Sequence, residues 1–334
     1  MTLSIICPTY NEEKYIADTL QSFLRQQYHS FELEILIVDG CSSDKTREIV
    51  QSFSNNHPNI KLVENPQRKT PYAFNAGLKA ASGEYVAILG AHTVYESNYL
   101  QICYDALISS NSVGCTGRVV VQSKTNTLGA KLSEWIMNSK FGVSGSSFRA
   151  MKEGYVHSVN FPLFKKQALI DLGGYDVKLL RNQDNDMNQR LLDAGHKLFC
   201  TWQTVAYYRP PGSIKKLLRY AYRNGFWNAI SIYINAGSMR IHHLIPFFFA
   251  TGIIAGSLLG LSGYFLLHSV WLIRLSFIVV SIHLLTGLLA TIRSIAKEFD
   301  YRKILMPFVF FAFHFVYGWG TINGFLKGKK EMNE

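Results

Sequence analysis

Polar and acidic residues follow two short apolar runs near the start of this 334-residue chain, a pattern suited to ligand binding. Thr9–Glu13 follows the run Leu3–Ile6, and Asp39–Thr46 follows the run Glu34–Val38. Such runs, each followed by turn residues and a helical pattern, predict an α/β domain with a parallel sheet. Because ligands of these sheets bind at the carboxyl ends of the strands, we expect both polar segments to line one pocket.

Asp39 is the residue of these segments that best fits a ligand-binding role. It closes an apolar strand without being placed to cap the helical segment Lys45–Phe53. Ser42 and Ser43 suit helix caps, and Asp44 suits the first helical turn, where the helix dipole favours a carboxylate. We therefore expect structural roles for these three residues and a ligand-facing role for Asp39.

Two further positions admit both a chemical and a structural interpretation. His92 follows the apolar run Val86–Leu89, and a histidine there either ligates a metal through neutral imidazole or forms structural hydrogen bonds. Asp186 and Arg190 stand four residues apart on a predicted helix, which indicates a surface ion pair.

The C-terminal third of the chain is almost continuously apolar, although the mean hydropathy of the whole chain is only +0.06. Leu244–Leu267 and Ile304–Leu326 contain no Asp, Glu, Lys or Arg, and Leu275–Ile292 has only His283 as an ionisable group. Because about 20 apolar residues in a helix cross a bilayer, the sequence predicts two or three membrane helices. A soluble oligomer with an apolar subunit interface is the alternative. The expected spans are about 244–267, 271–292 and 304–326.

The net charge of +11 is concentrated beside these apolar segments. Basic residues that flank spans mark the cytoplasmic side and favour lipid headgroups or phosphate, so we expect no nucleic-acid partner. Three spans would place Lys327 outside, against this tendency, so a re-entrant or interfacial last segment is the alternative. The flanking basic residues are Lys215, Lys216, Arg219, Arg223, Arg240, Arg293, Lys297, Arg302 and Lys303.

The segment between the soluble and apolar parts is typical of a helix in the lipid headgroup layer. Ser213 can cap a helix that begins at Ile214, in which apolar residues recur at helical spacing among lysines and arginines. An ordinary surface helix packed on the soluble domain is the alternative. The expected domains are therefore 1–212, 213–243 and 244–334.

The N-terminus and the cysteines both favour a cytoplasmic soluble domain. Leu3–Ile6 is too short for the core of a signal peptide, and Pro8 interrupts it. The five cysteines show no C-x-x-C spacing, so the sequence suggests neither a zinc site nor a disulfide framework. We expect reduced thiols.

Three segments together resemble the nucleotide-sugar glycosyltransferases of family 2, which have a GT-A, Rossmann-like fold. They are "CPTYNEE" (Cys7–Glu13), "ILIVDGCSSDKT" (Ile35–Thr46) and "RNQDNDMNQR" (Arg181–Arg190). The resemblance covers roughly residues 1–245 and implies that Thr9, Glu12 and Asp39 line the nucleoside pocket, with Asp39 reading the uracil edge. It further implies that Arg68 and Asn75 lie near the donor nucleotide.

The resemblance breaks at the position where the family holds its metal. Family members carry Asp-x-Asp at the end of the strand that corresponds to Val86–Leu89, and succinoglycan-type relatives carry Asp-Ala-His, whereas this chain has Gly90, Ala91 and His92. By resemblance Ala91 is a donor-site residue and His92 is the remaining metal ligand. A divalent cation is therefore expected, Mn²⁺ in preference to Mg²⁺, because Mn²⁺ tolerates nitrogen ligands better.

The resemblance also supplies a general base and a residue that stabilises the leaving group. Inverting members use the Asp of a Glu-Asp pair as base, and this chain keeps Asp184 while Gln183 replaces the Glu. Arg223 and Trp227 resemble the segment of membrane-bound synthases that closes over the donor diphosphate; a headgroup-binding arginine is the alternative for Arg223. The resemblance therefore implies that Arg223 and Trp227 contact the donor.

These observations predict an inverting hexosyltransferase at the inner membrane with a cytoplasmic catalytic domain. It would use a UDP-sugar and a polyprenyl-diphosphate-linked saccharide in surface or exopolysaccharide synthesis. A catalytically degenerate membrane subunit that binds nucleotide-sugar or an assembly partner is the alternative, because Gly90 and Gln183 depart from the family pattern. The sequence leaves the sugar, the linkage and the oligomeric state open.

Overall fold

The computed structural model describes residues 1–143, 152–235, 237 and 241–331. The chain divides into two compact units, which are described separately below. The first comprises residues 1–120 and 151–209, and the second comprises residues 121–150 and 210–334.

A mixed β-sheet forms the first unit. Its order within the described residues is β3-β2-β1-β4-β8-β6-β9-β5, with β7 pairing with β9. The four strands β1 to β4 run parallel, while the pairs β4 with β8 and β5 with β9 are antiparallel. The strands are β1 Thr2–Thr9, β2 Glu32–Asp39, β3 Ile60–Glu64, β4 Tyr85–Ile88, β5 Thr93–Tyr95, β6 Gly114–Val121, β7 Gly154–Val156, β8 Leu163–Lys165 and β9 Leu198–Tyr208.

Helices between the strands cover the sheet and close an apolar core. The core forms because the parallel strands are buried on both faces: Ile6, Val38 and Ile88 pack with Leu169 and Met187. The predicted α/β domain is confirmed. The helices up to residue 193 are α1 Ile16–Leu24, α2 Thr46–Asn56, α3 Thr70–Ala80, α4 Tyr99–Ser109, α5 Leu128–Asn138, α6 Lys166–Asp171 and α7 Gln183–Asp193; α5 belongs to the second unit.

The second unit consists mainly of helices and contains, among the described residues, three helical segments long and apolar enough to cross a membrane. These segments are Ile245–Phe265, Val270–Lys297 and Tyr301–Gly328, so the predicted apolar helices are confirmed. Phe277 separates two helices within the second segment. The helices are α8 Ile214–Ile234, α9 Ile245–Phe265, α10 Val270–Ser276, α11 Ile278–Lys297 and α12 Met306–Glu331.

Helix α8 begins where the sequence predicts, because Ser213 Oγ accepts a hydrogen bond from the Lys216 N–H at 3.3 Å. The helix packs closely on α12. A Cβ atom at Gly320 or Gly324 would overlap a backbone carbonyl of α8, those of Tyr222 and Phe226 respectively. Small residues thus permit the backbone approach that holds apolar helices together.

Candidate active site

The loops that follow β1 and β2 lie side by side at the carboxyl edge of the sheet. The register pairs Thr9 with Asp39, the last residue of each strand. Asn11 has a left-handed backbone (φ +53°), and its Oδ1 accepts the Ser43 N–H at 2.8 Å. The Glu12 N–H donates to Thr46 Oγ1 at 2.8 Å. These hydrogen bonds between the two loops fix the segment that follows β1. Thr9 is buried there, and Glu12 is partly exposed.

Asp39 is completely buried, and its carboxylate is surrounded by donors. It accepts the Ser42 N–H at 3.0 Å and the Ser42 hydroxyl at 2.5 Å, and Arg47 donates to it at 2.8 Å. The same guanidinium binds Glu64 at 2.6 Å. Hydrogen bonds to Glu64 and Asp39 raise the pKa of Arg47, and the bond from Arg47 lowers the pKa of Glu64.

The sequence analysis missed this ion network, and its prediction that Ser42 and Ser43 cap a helix was wrong. Helix α2 begins at Thr46 without a side-chain cap, and Ser42 and Ser43 bind Asp39 and Asn11 instead. Arg47 comes eight residues after Asp39, a separation that carries no recognisable signal. Only the turn after β2 brings the two charges together.

Asp44, predicted in the first helical turn, precedes helix α2 and receives hydrogen bonds there. Its Oδ1 accepts the Thr46 N–H at 3.0 Å, and its Oδ2 accepts the Glu13 N–H at 3.1 Å. Desolvation opposes ionisation, but the hydrogen bonds from Thr46 and Glu13 prevail, and the pKa of Asp44 is lowered.

Arg68 and Asn75 lie on the segment that follows β3. Arg68 is exposed and has a left-handed backbone (φ +56°), and its Cα lies beside the strand end of β2, 3.5 Å from an ideal Cβ on Gly40. Asn75 uses both ends of its amide on the Tyr175 backbone: Nδ2 donates to the carbonyl and Oδ1 accepts the N–H, each at 2.8 Å. Asn75 therefore anchors the turn that precedes α7.

The region after β4 differs from the family pattern in shape as well as in charge. An ideal Cβ at Gly90 would lie 3.1 Å from Cε1 of Phe161, so the Phe161 ring borders the space that a family aspartate would need. Phe161 has φ +55°, which is rare for a bulky residue. Its carbonyl accepts the Tyr99 hydroxyl at 2.7 Å. Ala91 is buried, and its carbonyl accepts the Thr19 hydroxyl at 2.8 Å.

His92 lies beside Glu12. The sequence analysis assigned His92 to the metal and Glu12 to the nucleoside pocket. His92 Nδ1 is 3.3 Å from Glu12 Oε1, and the imidazole packs edge-on against Tyr208 at 5.5 Å. Among the described residues, no group of three or more His, Cys, Asp and Glu side chains could hold a metal ion. A nitrogen and a carboxylate oxygen at this separation nevertheless fit a divalent cation whose other ligands come from the donor diphosphate.

Helix α7 presents Asp184 in its first turn. Asp184 Oδ1 accepts the N–H of Asn185 at 2.9 Å. The pKa of Tyr175 is raised, mainly because Tyr175 is buried and also because of the negative charge of Asp184. Asp186 and Arg190 form the predicted ion pair at 2.8 Å, but Asp186 is buried instead of lying on the surface. Arg190 also donates to two backbone carbonyls, those of Leu172 and Gly174 just after α6.

Arg223 and Trp227 lie on α8 in the second unit, one helical turn apart. Trp227 packs edge-on against Phe226 with the ring centroids 6.1 Å apart. Both residues belong to the helix that packs against α12.

Residues 4–173, just over half of the 334 residues, match the family described as glycosyl transferase family 2. The chain belongs to this family. It is a glycosyltransferase, as the resemblance predicts. The mannosyltransferase PcManGT from Pyrobaculum calidifontis has a similar fold, with a TM-score of 0.57 and 19% identity over 95% of this chain and 87% of that one. The predicted GT-A fold is confirmed.

Two relatives show how far the likeness extends. A Methanococcus voltae protein is 29% identical over 98% of both chains. It is named "Dolichyl N-acetyl-alpha-D-glucosaminyl phosphate 3-beta-D-2,3-diacetamido-2,3-dideoxy-beta-D-glucuronosyltransferase". The succinoglycan biosynthesis protein ExoA of Rhizobium meliloti is 28% identical over 64% of both chains. The first likeness includes the apolar helices.

Proposed function

We propose that this glycosyltransferase moves a sugar from a UDP-sugar to a polyprenyl-diphosphate-linked saccharide, with inversion, at the cytoplasmic face of the inner membrane. The observation that carries the proposal is the likeness over 98% of both chains to a transferase whose name specifies a dolichyl-phosphate-linked sugar. A lipid-linked acceptor fits a chain with three candidate membrane helices, because the acceptor lipid lies in the bilayer.

The donor nucleoside is assigned to the loops after β1 and β2. Thr9 and Asp39 end neighbouring strands, and Arg68 lies beside the same edge. Asp39 would shape the wall of the pocket that receives the uracil edge, because its carboxylate is fully buried and is held by Ser42 and, at 2.8 Å, by Arg47. Asn75 contributes by fixing the Tyr175 turn rather than by a direct contact.

Asp184 is assigned as the general base. As the acceptor hydroxyl oxygen forms its bond to the anomeric carbon, the bond from that carbon to the diphosphate oxygen breaks and the hydroxyl proton passes to Asp184. UDP leaves with the bonding electrons. A single displacement from the opposite face inverts the anomeric configuration, and one positioned carboxylate suffices for it.

His92 would hold a divalent cation against the donor diphosphate, as one member of an incomplete protein ligand set. The bound cation would neutralise charge that develops on the leaving diphosphate. Nitrogen ligation favours Mn²⁺ over Mg²⁺. The mannosyltransferase PcManGT carries Mn²⁺ with GDP-Man, which supports a cation in this fold.

The test is UDP release by the full chain in lipid vesicles, using a panel of UDP-sugars and polyprenyl-diphosphate saccharides. We expect release from at least one UDP-sugar only when a lipid-linked saccharide is present. Asp193→Asn is a matched control for Asp184→Asn, because Asp193 ends the same helix and binds Gln189 at 2.7 Å. Transfer to water-soluble saccharides alone, or from GDP-sugars alone, would contradict the acceptor or the donor assignment.

A further inference from the structure

We infer that Glu12 and His92 form a two-ligand cation site that stands in for the carboxylate missing at position 90. This inference rests on the proposed function, because the ion would bind together with a donor diphosphate. It moves Glu12 from the nucleoside pocket, where the family resemblance puts it, to the metal.

The separation of the two side chains matches that of two ligands on one ion. His92 Nδ1 lies 3.3 Å from Glu12 Oε1. Ligand atoms bound at about 2.1 to 2.2 Å lie about 3.0 Å apart in octahedral geometry and about 3.5 Å apart in tetrahedral geometry. The 3.3 Å separation falls between these two values, and an ion would replace the hydrogen bond once the Glu12 carboxylate turns so that both ligand atoms face it.

The backbone of Glu12 is fixed, so its side chain is presented at a defined place. Its N–H donates to Thr46 Oγ1 at 2.8 Å, and its carbonyl accepts the N–H groups of Tyr15 and Ile16, each at 2.9 Å. The His92 ring is held by Tyr208 at 5.5 Å. Both ligand side chains remain accessible, with exposed fractions of 22% for Glu12 and 38% for His92.

Phe161 explains why the ion would depend on Glu12 rather than on residue 90. Its ring comes within 3.1 Å of an ideal Cβ on Gly90, and it packs against Tyr95 and Tyr208. A side chain at position 90 would press against this ring, which would have to shift by a few tenths of an ångström. The Phe161 ring thus occupies the region beside Gly90, and Glu12 in the loop after β1 supplies the anionic ligand instead.

The test measures Mn²⁺ binding to the full chain in detergent micelles by the loss of the free-ion electron paramagnetic resonance signal. Titrations are run with Mn²⁺ alone and with Mn²⁺ in the presence of saturating UDP. UDP affinity is measured separately by calorimetry in excess chelator. The variants are Glu12→Gln and His92→Gln, with Glu13→Gln as the matched control because Glu13 accepts the Lys45 N–H at 3.3 Å in the same loop.

We expect Glu12→Gln and His92→Gln each to weaken Mn²⁺ binding by at least about tenfold, since even outer-sphere changes cost this much. Glu13→Gln should stay close to wild type, and UDP affinity in chelator should not change in any variant. Wild-type Mn²⁺ affinity in Glu12→Gln would overturn the inference. So would loss of chelator-resistant UDP binding in that variant, which would return Glu12 to the nucleoside pocket, or failure of the wild type to bind Mn²⁺.

The two proposals fail in different ways. If UDP does not bind the wild type, the donor class is wrong, and repeating the Mn²⁺ titration of wild type and Glu12→Gln with GDP as the diphosphate still decides whether Glu12 is a ligand. If UDP binds and Glu12→Gln leaves Mn²⁺ binding unchanged, the donor assignment survives and the two-ligand site is rejected.

Discussion

The acidic residues assigned to the candidate site differ in how they are bonded. Asp39 is fully buried and accepts three hydrogen bonds, one of them from Arg47. Glu12 and Asp184 are only partly buried. A carboxylate enclosed by donors stabilises one conformation, whereas a partly exposed one remains accessible to a proton, an ion or a substrate. We therefore predict that Asp39 shapes the pocket, whereas Glu12 binds the ion and Asp184 accepts the proton.

The largest expected effect is on the rate of sugar transfer, when the partly exposed Asp184 is replaced. Asp184→Asn should reduce transfer by about 100-fold or more, because a positioned base contributes on this scale. UDP affinity and thermal stability should change little, since the base acts on the acceptor. Single-turnover transfer and calorimetric UDP binding check this, with Asp193→Asn as control. Near-normal turnover in a folded Asp184→Asn protein would remove Asp184 from the mechanism.

Asp39→Ala should affect both binding and stability, because this carboxylate shapes the pocket. We expect UDP affinity to fall by about tenfold or more and the free energy of unfolding to fall by about 1 to 3 kcal/mol, as buried donors lose their acceptor. Calorimetry and thermal unfolding in detergent measure the two changes. Unchanged UDP affinity would show that the nucleoside pocket is misplaced.

Metal dependence tests whether the positive charge at the leaving group comes from a cation held by His92 or from Arg223. Chelation should abolish transfer, Mn²⁺ should restore it better than Mg²⁺, and His92→Ala should raise the Mn²⁺ concentration required by about tenfold. Arg223→Ala should keep the metal requirement. Full activity in excess chelator, with Arg223→Ala inactive, would instead assign the leaving-group charge to Arg223.

The smallest expected effect concerns Glu34, a second carboxylate enclosed by donors, which lies near the start of β2. Desolvation opposes ionisation of Glu34, but hydrogen bonds from Lys61, Ser4 and Ser82 prevail and lower its pKa from 4.5 to about 2. Because the folded-state pKa is the lower one, this stabilisation is fully present above pH 4.5 and is lost as the pH falls towards 2. The difference in unfolding temperature between wild type and Glu34→Gln should therefore shrink on acidification. A difference independent of pH would contradict this.

Local patterns in the sequence determined the secondary structure and the general position of the site. Apolar runs predicted the parallel strands, and unbroken apolar stretches predicted the membrane-type helices, because burial in a sheet or a bilayer requires continuous hydrophobicity. The ends of those strands then located the carboxyl-edge loops, since parallel strands end at one edge. The Ser213 cap was also readable, because a cap depends on neighbours within one turn.

Tertiary structure alone decided which side chains meet. Arg47 pairs with Asp39 and Glu64, Glu12 meets His92 across 80 residues, and Phe161 borders the space beside Gly90. Ser42 and Ser43 likewise bind Asp39 and Asn11 instead of capping α2. Periodicity and capping rules describe neighbours within a few residues. They carry no information about contacts between separate strands, because those contacts depend on how the sheet and its loops pack together.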